Sequence, residues 1–214
     1  MNQIMNHIAE LQLIPMVVMD HAEHAGPFAN ALVGGGLPVA EITFRTPAAE
    51  PAIRALARRG DLLVGAGTVL STEQADRAID AGAQFLVAPG TNPKVVEHAL
   101  RRGITMVPGV ATPTDIELAL SLGVTTLKFF PAEAMGGVAT LKALGGPYPD
   151  VRFIPTGGIT PELLPDYLKL ASVVACGGSW LAPRDLLAAG RFDAIKALVE
   201  QAGRLLAGPP AVAT

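Results

Sequence analysis

Thr125-Thr126-Leu127-Lys128-Phe129-Phe130-Pro131 is a short, largely apolar run with one lysine at its centre, and it reads as a buried strand closed by proline. Seven runs of the same kind accompany it: Leu13 to Met19, Pro38 to Thr43, Leu62 to Ala66, Gln84 to Ala88, Ile104 to Val107, Val151 to Pro155 and Ala171 to Ala175. Their starts, near 14, 38, 62, 84, 104, 125, 151 and 172, lie 20 to 26 residues apart. Helical patterns fill the intervals. They run from Glu23 to Val33 before Gly34-Gly35-Gly36, from Pro47 to Arg59 before Gly60, from a Ser71 or Thr72 cap to near Gly82, and from Asn92 to Arg102. The later ones run from Thr114 to Leu122, onward from Gly136-Gly137, and from Pro161 to Leu170, with the last helices after the eighth strand.

Eight βα units whose strands are too apolar to face water on either side predict an α/β fold, a closed (β/α)8 TIM barrel. A short N-terminal helix precedes it, and one domain spans 1–214. An open doubly wound sheet competes, but Met19-Asp20-His21-Ala22 stands where its Gly-rich dinucleotide turn would follow the first strand. The tail from Gly208 to Thr214 is small and Pro-containing, and is expected to be loose.

The chain is 50% hydrophobic but only 5% aromatic, so small apolar side chains must fill the core. A net charge of −3 with no basic stripe argues against a nucleic-acid partner, while leaving room for a local basic pocket for one phosphate. Cys176 is the single cysteine, which excludes an intrachain disulfide and a multi-cysteine metal site; its apolar neighbours mark a buried filler. No cationic run followed by an apolar one opens the chain, and no segment approaches the roughly 20 apolar residues that span a bilayer. No membrane association and a cytoplasmic location are the expectations.

Barrel active sites collect at the carboxyl ends of the strands, so polar residues there are read together. An ammonium at Lys128 is costly to desolvate unless it is paired or gives up its proton, and an amine without its proton is a nucleophile. A strand-end lysine reaching solvent on its long stem is the plain alternative. On the second strand Val39, Glu41 and Thr43 share one side, with Arg45 just beyond. Glu41 suits proton transfer next to Lys128; a structural ion pair of Glu41 with Arg45 or Lys128 is the other reading.

The third strand ends in Gly65-Ala66-Gly67-Thr68, where Thr68 supplies a small donor or merely caps a turn. Pro89 and Pro108 shape loop walls. Strand seven ends in Thr156-Gly157-Gly158 and strand eight in Gly177-Gly178-Ser179. Two Gly-Gly pairs at corresponding places, with a short helix from Ser179, favour a phosphate cradle over plain tight turns. Trp180 reads as packing for that helix.

His7, His21, His24 and His98 have no matching Asp, Glu or Cys cluster, so neither a metal nor another cofactor is expected. Glu133 reads as capping or orienting the sixth loop, outside the core site. A protonated imine between a barrel amine and a ketone is itself an electron sink, which permits carbon-carbon bond cleavage.

Glu41-Ile42-Thr43-Phe44-Arg45-Thr46, Gly65-Ala66-Gly67-Thr68-Val69, Leu127-Lys128-Phe129-Phe130-Pro131-Ala132-Glu133, Pro155-Thr156-Gly157-Gly158-Ile159 and Gly177-Gly178-Ser179 occur in this order. Together they resemble the bacterial class I aldolases acting on 2-keto-3-deoxy-6-phosphogluconate, also described as 4-hydroxy-2-oxoglutarate aldolases. The resemblance covers about Leu11 to Leu206. It implies a homotrimeric barrel enzyme and a small keto-acid substrate, phosphorylated according to the glycine loops. It implies that Lys128 forms the Schiff base and Glu41 moves protons, that Arg45 and Thr68 hold the carboxylate, and that Pro89 lines the pocket. Thr156, Gly157, Gly158, Gly178 and Ser179 would surround the hydroxyls or phosphate. A sister activity on the C4-epimeric galactonate acid and a phosphosugar isomerase with Glu41 as base are the competing readings.

Overall fold

The computed structural model describes residues 2–207; the tail from Gly208 to Thr214 lies outside them. A helix, α1 (Gln3–Leu11), precedes β1 (Leu13–Val17), α2 (Ala25–Gly34), β2 (Val39–Thr43), α3 (Ala49–Ala57), β3 (Leu63–Gly67), α4 (Thr72–Asp80) and β4 (Phe85–Val87). Then follow α5 (Pro93–Arg101), β5 (Thr105–Val107), β6 (Gly109–Val110), α6 (Pro113–Ser121), β7 (Thr126–Phe129) and α7 (Gly137–Gly145). The order closes with β8 (Arg152–Pro155), α8 (Leu164–Leu168), β9 (Cys176–Gly178), α9 (Arg184–Ala188) and α10 (Phe192–Leu206).

One parallel ladder runs β5-β4-β3-β2-β1-β9 and a second runs β6-β7-β8. Two links join them into a ring. Pro108 has no N–H to give a ladder, so it splits the fifth stave into β5 and β6 while the chain runs straight on. On the other side, bridges Phe153↔Val173 and Thr156↔Gly177 join β8 to the last stave. Eight staves result, and the barrel expectation stands.

The eighth strand differs from the expected Ala171 to Ala175. Residues 172–174 pair with β8, through Phe153 N–H to Ser172 O at 2.7 Å and Val174 N–H to Phe153 O at 3.0 Å. The ladder to β1 starts three residues later, at Leu13↔Cys176. A closed barrel staggers its hydrogen bonds from stave to stave, so one stave serves its two neighbours with different residues. The helix expected from Pro161 to Leu170 is shorter, Leu164–Leu168, because residues 161–163 form a turn in which Leu163 N–H bonds Thr160 O.

Core packing follows the composition. The Phe85 ring occupies the space in front of Gly65, its register partner, where a Cβ would collide with it. Alanines 29, 40, 52, 66, 75, 78 and 99, each fully buried, let the helices approach the staves.

Candidate active site

Register decides which side chains enter the barrel mouth. Glu41 is the partner of Met16 on β1 and of Gly65 on β3, and Lys128 is the partner of Gly109 on β6 and Ile154 on β8. Across the barrel, Lys128 Nζ donates to Glu41 Oε1 at 3.4 Å, with the residues 4% and 3% exposed. This pairing settles where Glu41 goes: Arg45 is exposed and makes no ion pair among the described residues. The buried pair can stand as ammonium and carboxylate or as amine and carboxylic acid, states that differ only in the position of one proton.

The walls beside this pair are built to leave room for it. A Cβ on Gly67 would fall on Glu41 Oε1. The Phe130 ring centroid lies 5.4 Å from Lys128 Nζ. Met16 is half-buried between buried neighbours, and its Sδ stands 3.2 Å from where a Cβ on Gly177 would be. Sequence reasoning passed over Phe130 and Met16 because their place depends on cross-strand register, which a single run of residues does not carry.

The remaining residues sit on the same carboxyl-end rim. Thr68, directly after β3, holds φ +55, a left-handed conformation that costs a side-chain-bearing residue about 1–2 kcal/mol. Such an outlier marks a place where position outweighs stability. Pro89 is half-buried beyond β4, and its carbonyl occupies the space in front of Gly109. Thr156 is buried, with its Oγ1 in the space a Cβ on Gly177 would need, and the Thr156↔Gly177 bridge sets the two glycine loops side by side. Gly157 and Gly158 hold φ +103 and +80, left-handed values that turn the chain sharply beyond β8. Gly178 is buried and Ser179 exposed. The helix expected from Ser179 is a single 3-10 turn, Ser179–Leu181, so its dipole adds little. Trp180 packs as expected, with Nε1 2.8 Å from where a Cβ on Gly178 would stand.

A family model described as "Aldolase: KDPG and KHG aldolase" matches residues 4–198. This chain belongs to the KDPG and KHG aldolase family. It is 48% identical over 199 residues to the 2-dehydro-3-deoxy-phosphogluconate aldolase of Treponema pallidum, covering 92% of this chain and 95% of that one. It is 46% identical over 191 residues to the KHG/KDPG aldolase of Escherichia coli, covering 89% and 90%. The KDPG aldolase of Legionella pneumophila, whose crystal structure holds pyruvate captured at low pH as a covalent carbinolamine, superposes with a TM-score of 0.90 at 37% identity, covering 94% and 98%.

Aldolase membership makes a carbon-carbon lyase of this barrel. Three histidines have partners away from this site: His98 bonds Asp76 at 2.9 Å, His7 bonds Glu10 at 3.4 Å, and His24 packs edge-on against Phe192. Among the described residues no group of three His, Cys, Asp or Glu could hold a metal ion, and no helix is long and apolar enough to cross a membrane.

Proposed function

We propose that the chain is a class I aldolase cleaving 2-dehydro-3-deoxy-6-phosphogluconate to pyruvate and glyceraldehyde 3-phosphate. The observation that carries this reading is the buried 3.4 Å contact of Lys128 Nζ with Glu41 Oε1 in a chain of this family. Lys128 Nζ attacks C2 of the keto acid, and Glu41 carries protons as the carbinolamine loses water to give a protonated imine. Glu41 then takes the C4 hydroxyl proton, the C3–C4 electron pair moves to C3 and the imine nitrogen, and the aldehyde leaves. The enamine takes a proton at C3, and water releases pyruvate and the free amine.

In this reading Arg45 and Thr68 hold the carboxylate and Pro89 lines the pocket. The phosphate rests on Thr156, Gly157, Gly158, Gly178 and Ser179; the left-handed Gly157-Gly158 turn, set beside Gly177 by the Thr156↔Gly177 bridge, supports that assignment. The same site accepts 4-hydroxy-2-oxoglutarate, which lacks the phosphate, less tightly. The homotrimer belongs to this proposal through the family resemblance and is measured by sedimentation; a cytoplasmic location belongs to it too.

Borohydride in the presence of pyruvate tests the proposal. One reduced pyruvyl adduct should form on Lys128, and Lys128→Ala should abolish both adduct and pyruvate release. Turnover without an adduct would favour an isomerase with Glu41 as base. Pyruvate release measured side by side on the gluconate acid, its C4 epimer and 4-hydroxy-2-oxoglutarate decides the substrate; a faster epimer would replace the gluconate assignment with the galactonate one.

A further inference from the structure

Tyr167 heads the largest fully buried side chains, yet it carries a hydroxyl that needs a partner. It lies in α8, outside the ring of staves, and its hydroxyl donates to Glu133 Oε1 across 34 residues of chain. Burial first, and then the Glu133 carboxylate, raises the Tyr167 phenol above its ordinary range, so it remains a donor at any working pH.

Glu133 is the fifth residue past Lys128, and its main chain closes on the loop after β8. Ala132 N–H donates to Thr156 O at 2.8 Å and Glu133 N–H to Gly157 O at 3.0 Å. A Cβ on Gly158 would stand 2.8 Å from Glu133 Cβ. Gly137, at the start of α7 with φ +57, leaves no more space: its Cβ would stand 2.8 Å from Glu133 Oε1 and 3.0 Å from the Tyr167 hydroxyl. Three elements therefore converge on one carboxylate whose own backbone grips the Gly157-Gly158 turn.

We propose that the Tyr167–Glu133 hydrogen bond positions the Gly157-Gly158 turn and thereby sets the preference for phosphorylated over unphosphorylated keto acids. Anchoring the side chain fixes the Glu133 backbone, and that backbone fixes the turn. The same bond holds the Glu133 charge on the phenol, where a charge-assisted hydrogen bond takes it up, instead of leaving it to swing toward a bound dianion. Tyr167 and Glu133 are positioning residues, and the inference rests on the reading of this turn as the phosphate cradle.

The test measures kcat and KM of Tyr167→Phe, Glu133→Gln, Glu133→Ala and Ser179→Ala on 2-dehydro-3-deoxy-6-phosphogluconate and on 4-hydroxy-2-oxoglutarate. Tyr167→Phe keeps the ring that fills the core. It should raise KM for the phosphorylated acid about tenfold, the effect of one lost hydrogen bond, with kcat and the unphosphorylated KM little changed. Glu133→Ala should do the same, and Glu133→Gln, which keeps an acceptor oxygen, should recover most of the loss. A lowered melting temperature with the ratio of the two KM values unmoved would overturn the proposal, as would equal rises on both substrates. If Ser179→Ala separates the substrates and Tyr167→Phe does not, the positioning role alone falls; if neither separates them, the phosphate reading falls first.

Discussion

A methyl group on Gly67 would occupy the place of Glu41 Oε1. Gly67 is the register partner of Thr43, and its carbonyl accepts from Phe44 N–H at 2.9 Å, so the backbone there cannot retreat without disturbing the end of β2. Gly67→Ala should therefore push the carboxylate off Lys128. Overpacking costs about 1–3 kcal/mol of stability, and a shift of about 1 Å in Glu41, the proposed acid-base group, costs on the order of 10²-fold in kcat. Urea denaturation and pyruvate release measure the two; a variant with unchanged kcat would show that Glu41 does not need this space. Glu41 and Lys128 were legible in the sequence because a charge in the middle of an apolar strand demands a reason. Tyr167 gave no such signal. A tyrosine in an amphipathic segment is ordinary, and its partner lies 34 residues away.

Helix starts were legible at α4 and α5, where a side chain closes them. Ser71 accepts from Gln74 N–H and Asn92 from Lys94 N–H, which places α4 and α5 as the sequence suggests. Elements set by barrel geometry were not: the split of the fifth stave, the stagger of the eighth and the short α8 depend on neighbours distant in sequence. The start of α6 is a strong cap that the sequence reading placed one residue late. Thr112 caps the helix, and Asp115 Oδ2 accepts from the N–H groups of Ala111 and Thr112 at 3.0 and 2.9 Å. Burial opposes the Asp115 charge, but these donors and the Thr112 hydroxyl outweigh it and hold the carboxyl below its ordinary value. A lowered folded-state value means stability present above the unfolded value and lost as pH falls through the folded one. Asp115→Ala should cost about 1 kcal/mol at neutral pH, and the gap between variant and parent should narrow once the medium is more acidic than the unfolded carboxyl, about pH 4. Urea titrations at neutral pH and below about pH 4 check this; a gap that is independent of pH would show that the ionised Asp115 carboxylate is not what stabilises the start of α6.

The whole barrel divides its labour between two ends. Every residue of the proposed site stands on or beyond the carboxyl halves of the staves, while α1 lies against their amino ends. Asn2 fixes that helix twice: its Oδ1 accepts from Met5 N–H at 3.0 Å, capping α1, and its Nδ2 donates to Thr105 Oγ1 at 2.6 Å, where β5 begins. Met5 and Ile8 on the same helix are buried, so losing the tether loosens apolar packing as well as a cap. Asn2→Ala should lower stability by about 1–2 kcal/mol and the melting temperature by about 3–6 °C for a chain of this size. Thr105→Val should lose only the tether and fall between parent and Asn2→Ala. Both should leave kcat/KM at 25 °C unchanged, since the tether sits at the amino ends of the staves and Lys128 at the carboxyl end of its own. Calorimetry and steady-state pyruvate release separate the two quantities, and a folded Asn2→Ala protein with impaired kcat/KM would mean that the amino-end face sets the position of Lys128 after all.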